Sequence, residues 1–159
     1  MYLLAKEYDS FDTLPIDARV RILRRELDAL TQANLEYLQL HPETPALYEW
    51  APRYKIKPRP FVPAIREQAD IWQDIPSTMR RGTCDCKDCA SWRAAELYNA
   101  RLGPVGFHIK VQQVGDLVVY HIQVEGFDRN GIFRREDPSK ILGMPTIVTP
   151  AQLSALMNG

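Results

Sequence analysis

The chain lacks both a long hydrophobic run and an excess of charge of either sign. None of its segments approaches the roughly 18 consecutive apolar residues that a membrane-spanning helix requires. Its 20 Lys and Arg residues balance its 20 Asp and Glu residues. A neutral chain has no overall electrostatic attraction for DNA or RNA. The sequence therefore predicts a protein that contacts neither a membrane nor a nucleic acid.

The N-terminus lacks the basic start and the long apolar core of a signal peptide. Cysteine is also scarce. The three cysteines are Cys84, Cys86 and Cys89, all within six residues. An odd number in one short cluster argues against a disulfide framework and favours nucleophilic or metal-binding chemistry. We expect a cytoplasmic location, or the inside of an assembled particle.

A long helix and a proline-rich arm are predicted in the N-terminal part of the chain. Apolar residues recur at helical spacing from Ile16 to Leu38 and predict a helix over 15–40. Seven of the twelve prolines lie in 42–76, a density that is hard to reconcile with regular helix. The aromatic residues of this segment predict an ordered, mostly extended arm that packs on the domain, with a short helix near 63–73.

The C-terminal part predicts a helix followed by antiparallel strands. The expected elements are a helix over 86–101, strands over 105–114 and 117–125 joined by a Gly115-Asp116 turn, a strand near Ile132 to Arg135, and a short helix after a Thr149 capping box. Helices that are segregated from an antiparallel sheet define the α+β class. We predict two regions, an N-terminal helix and arm over 1–69 and a core over 70–159.

The cysteine segment R-R-G-T-C-D-C-K-D-C-A passes from turn residues directly into the predicted helix. A cysteine in the first helical turn lies near the positive end of the helix dipole and beside free backbone N–H groups. Both effects favour the thiolate and predict a lowered pKa. The same N–H groups can stabilise an oxyanion during acyl transfer. Cys86 fits this position best.

A catalytic thiolate also needs a base and a group that orients the base. His121 lies in the second predicted strand, on the more polar of its two faces, and we expect the helix that carries Cys86 to cover this face. Asp137 follows the third predicted strand. Its carboxylate could accept a hydrogen bond from the second imidazole nitrogen and so fix the tautomer.

The segment G-T-C-D-C-K-D-C-A-S-W-R-A-A-E-L resembles the G-D-C-x-D-x-A nucleophile motif of transglutaminase-like, papain-related cysteine enzymes. In that family a Cys opens a helix, a His follows on a strand and an Asp on the next strand. The resemblance covers roughly residues 70 to 145. It implies a Cys86, His121 and Asp137 triad, and a papain- or transglutaminase-like core in which the nucleophile helix packs on an antiparallel sheet.

The resemblance also implies residues that support the oxyanion. Papain-like enzymes place a Gln several residues before the nucleophile, and the nearest upstream Gln here is Gln73, beside Trp72. These two residues are therefore candidate helpers of the Cys86 backbone N–H, and Asp85 is a candidate supporting residue. Short domains of this type also resemble open reading frames among phage and prophage structural genes.

Three functions follow from these observations. The first is thiol-dependent acyl transfer without a cofactor, by a cysteine peptidase, isopeptidase or transglutaminase-like enzyme that acts on a protein or peptide. The second is a phage-type virion structural or assembly protein that contacts other particle proteins. The third is a zinc-binding module, because the cysteine cluster could supply three thiolates and a strand histidine the fourth ligand. The ligands of that site would be Cys84, Cys86, Cys89 and His108 or His121.

Overall fold

The structure of the chain, a computed structural model, describes residues 2–3, 11–64, 71–146 and 149–158. In chain order its elements are β1 (Tyr2–Leu3), a 3-10 helix (Phe11–Thr13), α1 (Ile16–Leu40), α2 (Leu47–Arg53), β2 (Ile71–Trp72), α3 (Ile75–Arg81), α4 (Cys86–Asn99), β3 (Val105–Val114), β4 (Leu117–Phe127), β5 (Phe133–Glu136), α5 (Pro138–Ile141) and α6 (Pro150–Asn158). Helices and antiparallel strands are segregated, so the predicted α+β class is confirmed. Within these ranges, no helix combines the length and apolarity needed to cross a membrane.

The larger sheet has the order β3-β4-β5, and all its pairs are antiparallel. β3 and β4 form the predicted hairpin, with Val114 opposite Leu117 across a turn in which Gly115 adopts a positive φ of 61°. β5 is shorter and pairs only with the end of β4, from Val124 to Phe127. The first half of β4 therefore presents an outer edge that β5 does not reach, and this edge adjoins the candidate site.

One face of β4 packs against α1 and α4. Its apolar residues are Tyr120, Ile122 and Val124, and they form a buried cluster with leucines of α1 and small residues of α4. The expectation that α4 covers the His121 face is therefore wrong. The face with Tyr120, Ile122 and Val124 buries more apolar surface against a helix than the His121 face would. This burial decides which face α4 covers.

The opposite face of the hairpin packs against the C-terminal helix. Val119 and Val114 form a smaller buried cluster with Val62 and with Leu153 of α6. The predicted capping box at the start of α6 is confirmed. The Thr149 N–H donates to the Gln152 side-chain oxygen at 3.0 Å, and the Gln152 N–H donates to the Thr149 hydroxyl at 3.2 Å. This helix leaves the strand segment around His121 uncovered.

The proline-rich arm differs from its prediction in two places. α2 is helical where extended chain was expected, because Trp50 and Ala51 are buried at its inner side and Trp50 stacks on Trp92 at 5.4 Å. This burial outweighs the effect of Pro52 inside the helix. The helix predicted near 63–73 lies mostly outside the described residues, and its end is strand β2 rather than helix.

The buried side of α1 makes this helix part of the domain core. Leu30 is fully buried in the cluster shared with α4 and β4, so we expect Leu30→Ala to lower the free energy of unfolding by about 2–5 kcal/mol. Leu40 on the same helix is 77% exposed, and Leu40→Ala should change stability by less than about 0.5 kcal/mol. Urea unfolding measures both values. Equal small losses would mean that α1 is a separable arm.

Candidate active site

The start of α4 is built by a capping box around Asp85. The Asp85 carboxylate accepts from the N–H groups of Lys87 and Asp88, and the Asp88 carboxylate accepts from the Asp85 N–H at 3.2 Å. The N–H of Cys89 bonds to the Asp85 carbonyl. In the part of the chain that the structure describes, the N–H of Cys86 is left without an acceptor in this turn. It is therefore the first-turn donor that remains for an oxyanion.

Cys86 is the first residue of α4 and is completely buried. Its thiol donates to the carbonyl of Tyr120 at 3.4 Å, and the N–H of Ile122 also faces the sulfur. The sulfur therefore lies at the outer edge of β4, level with His121. Burial raises the pKa of the Cys86 thiol far above its usual value, and the negative charge of Asp85 adds to this effect. The lowered pKa that helix-start geometry predicted is therefore wrong for this closed arrangement.

The segment Arg59–Val62 contributes to the burial of Cys86. At one end, the Arg59 N–H donates to the Cys84 carbonyl at 3.0 Å, just before α4. Further along, the Phe61 carbonyl accepts from the Tyr120 N–H at 3.0 Å on the outer edge of β4. The segment thus bridges the two elements that hold the sulfur, and its Phe61 ring belongs to the same buried cluster as Cys86.

His121 and Asp137 form a close pair on the other face of β4. His121 Nε2 lies 2.6 Å from Asp137 Oδ2, and both side chains are mostly buried. The same carboxylate oxygen accepts from Gln123 Nε2 at 2.8 Å, two residues further along the strand. The two residues that the sequence predicted as base and orienter are therefore in hydrogen-bonding contact.

Asp137 is held by its own position at the start of α5. It caps this helix, where Oδ1 accepts from the Lys140 N–H and from the Ser139 hydroxyl, each at 3.2 Å. Burial opposes ionisation of Asp137, but the hydrogen bonds from His121 and Gln123 outweigh it and lower the pKa of the carboxyl. The carboxylate is therefore ionised and fixed, as an orienting group requires.

The second ring nitrogen of His121 has no hydrogen-bond partner within the described ranges. Nδ1 is buried and makes no hydrogen bond to any described residue. The His121 ring lines a groove of about 180 Å³ at the surface, next to Tyr120, whose carbonyl accepts from the Cys86 thiol. Cys86 and His121 thus adjoin the same short stretch of β4 on different sides of the strand, and their side chains share no hydrogen bond.

The supporting residues predicted from the resemblance have other partners. Gln73 Nε2 donates to the Thr83 carbonyl at 3.1 Å and to Asp88 Oδ2 at 3.0 Å, so its amide holds the start of α4 instead of pointing at an oxyanion. Trp72 is buried edge-on against Phe61. Asp85 is the helix cap described above.

Lys87 is a buried residue that sequence reasoning missed. Its side chain is 1% exposed, forms an ion pair with Asp85, and lies 3.5 Å from Asp88 Oδ1. The ammonium group also lies 4.7 Å from the centre of the Phe61 ring, a cation–π contact. Burial alone would lower the pKa of Lys87, but Asp85 and Asp88 outweigh it and the pKa is raised. A lysine beside a cysteine gives no sequence signal of such burial.

The cysteine cluster does not form the zinc site that was the third hypothesis. Cys84 and Cys89 place their sulfur atoms 3.2 Å apart in an apolar cluster with Trp50 and Trp92, whereas Cys86 belongs to a different cluster. Across the described ranges, no three His, Cys, Asp or Glu side chains are grouped as metal ligands. The Cys86 side chain faces β4, whereas the side chains of Cys84 and Cys89 lie in the other cluster.

Comparison of the chain with protein families, with curated proteins and with solved structures finds no match. The resemblance to transglutaminase-like enzymes therefore rests on the motif around Cys86 and remains a prediction. The function is argued below from the geometry of the site itself.

Replacing Asp137 by Asn tests whether its carboxylate stabilises the fold. The pKa of Asp137 is lower in the folded protein than in the unfolded chain, so the ionised carboxylate stabilises the fold. This contribution is fully present at pH values above the pKa of the unfolded chain. It is lost as the pH falls through the pKa of the folded protein. We expect Asp137→Asn to reduce the free energy of unfolding near pH 6, and the difference from the wild type to shrink below about pH 4.

Thermal unfolding over this pH range measures that difference, with Asp116→Asn in the exposed hairpin turn as the control. The control should follow the wild type throughout. A destabilisation by Asp137→Asn that stays constant or grows in acid would contradict an ionised carboxylate that is stabilised by His121 and Gln123.

Replacing Lys87 by Met should leave two carboxylates buried without their cation. We expect a loss of about 3–5 kcal/mol in the free energy of unfolding near neutral pH. Burial and the neighbouring Asp85 raise the pKa of Asp88, so the loss should become smaller as the pH falls and Asp88 takes up a proton. Urea unfolding at two pH values tests this, with Lys57→Met at an exposed position as the control. A loss that grows in acid would contradict it.

Proposed function

We propose that the chain is a thiol-dependent acyl-transfer enzyme, a cysteine peptidase or isopeptidase that acts on a protein or peptide through Cys86, His121 and Asp137. The observation that carries this proposal is the His121–Asp137 pair at 2.6 Å, with the opposite ring nitrogen buried and unpartnered among the described residues, beside the strand edge that Cys86 contacts. An imidazole that is oriented through one nitrogen and has no hydrogen-bond partner on the other is the arrangement that a general base requires.

The reaction proposed for this site transfers a proton before or during attack. The Cys86 thiol gives its proton to His121 Nδ1, and the sulfur bonds to the carbonyl carbon of a substrate amide. The negative oxygen of the tetrahedral intermediate accepts from the Cys86 N–H. The C–N bond then breaks as His121 returns the proton to the leaving amine. Water attacks the thioester with His121 as base and restores the thiol.

The buried thiol means that this reaction requires an opening step. The segment Arg59–Val62 pairs with the edge of β4 through the Tyr120 N–H, beside the Cys86 sulfur. An extended substrate could pair with the same edge if the segment moved away, because main-chain groups on a strand edge accept any extended chain. Entry of the substrate would place its carbonyl next to the sulfur.

A second candidate is a phage-type structural or assembly protein that retains this site without using it. The observation in its favour is the complete burial of Cys86, whose raised pKa keeps the thiol protonated. The β4–β5 hairpin also exposes Phe127 and Phe133, which are each about half exposed and pack against each other. An apolar surface formed by these two rings could take part in a contact with another protein.

Acetylation by p-nitrophenyl acetate, an activated ester, separates the two candidates. The wild type should release a burst of p-nitrophenolate and acquire an acetyl group on Cys86, which peptide mass mapping locates. His121→Ala should slow acetylation by about 10²–10⁴-fold because the base is removed. Cys84→Ala is the matched control, and it should react as fast as the wild type because this thiol faces a separate cluster.

Circular dichroism of each variant shows whether it has folded, so that a loss of reaction can be assigned to the site. Acetyl groups on lysines alone, or a rate on Cys86 that His121→Ala leaves unchanged, would contradict the enzyme. Either result would favour the assembly protein, in which the thiol is a core residue.

A further inference from the structure

The groove beside His121 is positively charged. It is lined by β3 and β4 on one side and by the segment that follows α5 on the other, and it contains the side chains of Lys110 and Lys140. Lys110 lies directly opposite His121 in the β3–β4 register. Lys140 lies in α5, the short helix that Asp137 caps. Two lysines from different elements therefore line the same groove as His121.

Among the residues that the structure describes, no negative charge balances these two lysines inside the groove. Its lining residues include no Asp or Glu, and no described residue forms an ion pair with Lys110 or Lys140. The Lys140 ammonium makes a polar contact with the hydroxyl of Thr146 at 3.4 Å. Asp137 lies behind His121 and is already occupied by four donors. An anionic group could enter the groove without meeting a carboxylate.

We propose that this groove binds a carboxylate of the substrate, next to the amide that Cys86 attacks. This inference rests on the proposed acyl-transfer function and names its substrate class, an acidic peptide. The carboxylate can belong to a Glu or Asp side chain or to a peptide C-terminus, because both present the same two oxygens to an ammonium group.

The size of the groove favours a short acidic group over a larger anion. Its volume of about 180 Å³ is below the range of about 300–1,000 Å³ that is typical of pockets for drug-sized ligands. A nucleotide or a longer polyanion would extend beyond the two lysines. The balance of charges over the whole chain likewise gives no overall attraction for a polyanion.

Binding can be measured without turnover in the Cys86→Ala variant, by following the ring signals of His121 in NMR titrations. The probes are the blocked peptides acetyl-Ala-Glu-Ala-amide and acetyl-Ala-Gln-Ala-amide, which differ in one charge, and acetyl-Ala-Ala with a free C-terminus. We expect a carboxylate-bearing peptide to bind about tenfold more tightly than the Gln peptide, since a charge-assisted hydrogen bond is retained. Added salt should reduce the difference.

The variants Lys110→Gln and Lys140→Gln should each weaken binding of the acidic peptide and leave binding of the Gln peptide unchanged. Lys140→Gln keeps the backbone N–H that Asp137 accepts, so it preserves the helix cap. Arg129→Gln, in the exposed turn between β4 and β5, removes the same charge away from the groove and should have no effect.

The three peptides separate the possible results. A preference for the Glu peptide assigns the groove to an acidic side chain, and a preference for the free C-terminus assigns it to a terminal carboxylate. Equal binding of all three peptides, no binding of any, or a preference that survives both lysine variants would overturn the proposal. The acetylation of Cys86 is measured with a neutral ester, which has no carboxylate for the groove to bind. The test of the acyl-transfer function is therefore independent of the test of carboxylate binding.

Discussion

The geometry of the site depends on the buried network that fixes the first turn of α4. The capping box of Asp85 and Asp88 holds the ammonium of Lys87, and the Gln73 backbone N–H and side-chain amide donate to the two oxygens of the Asp88 carboxylate. A buried ion pair needs hydrogen bonds to its remaining lone pairs, and here backbone N–H groups and the Gln73 side-chain amide donate to the two carboxylates. This network fixes the direction in which the Cys86 side chain points from the helix, which is towards the outer edge of β4 that β5 does not reach.

A second consequence is that the thiol and its predicted base approach β4 from different directions. Cys86 belongs to the apolar cluster under the sheet, whereas His121 faces the surface groove. Both adjoin the same stretch of β4, where β5 is too short to cover the edge at Tyr120 and Ile122. The same opening accommodates the Arg59–Val62 segment, so the feature that brings the two residues together also allows the thiol to be closed off.

Much of the element order could be predicted from local sequence. The period of the leucines gave α1, the Gly115 turn gave the β3–β4 hairpin, and Thr149 with Gln152 gave the start of α6. α2 was missed because its stability comes from the burial of Trp50 against another helix, which no local pattern records. α3 was missed as well, although Asp74 accepts from the Ser77 N–H and caps it.

For the candidate site, the sequence by itself determined the residue types, their order and the helix position of Cys86. Alternation along β4 also put Gln123 on the face of His121, a signal that could have identified it as a partner of Asp137. Only the tertiary structure decided that the Cys86 thiol is buried and that its pKa is raised. It also decided that the Gln73 amide donates to Asp88 at the start of α4. The physical reason is that desolvation and hydrogen-bond partners depend on residues far apart in the chain, whereas periodicity and capping depend on near neighbours.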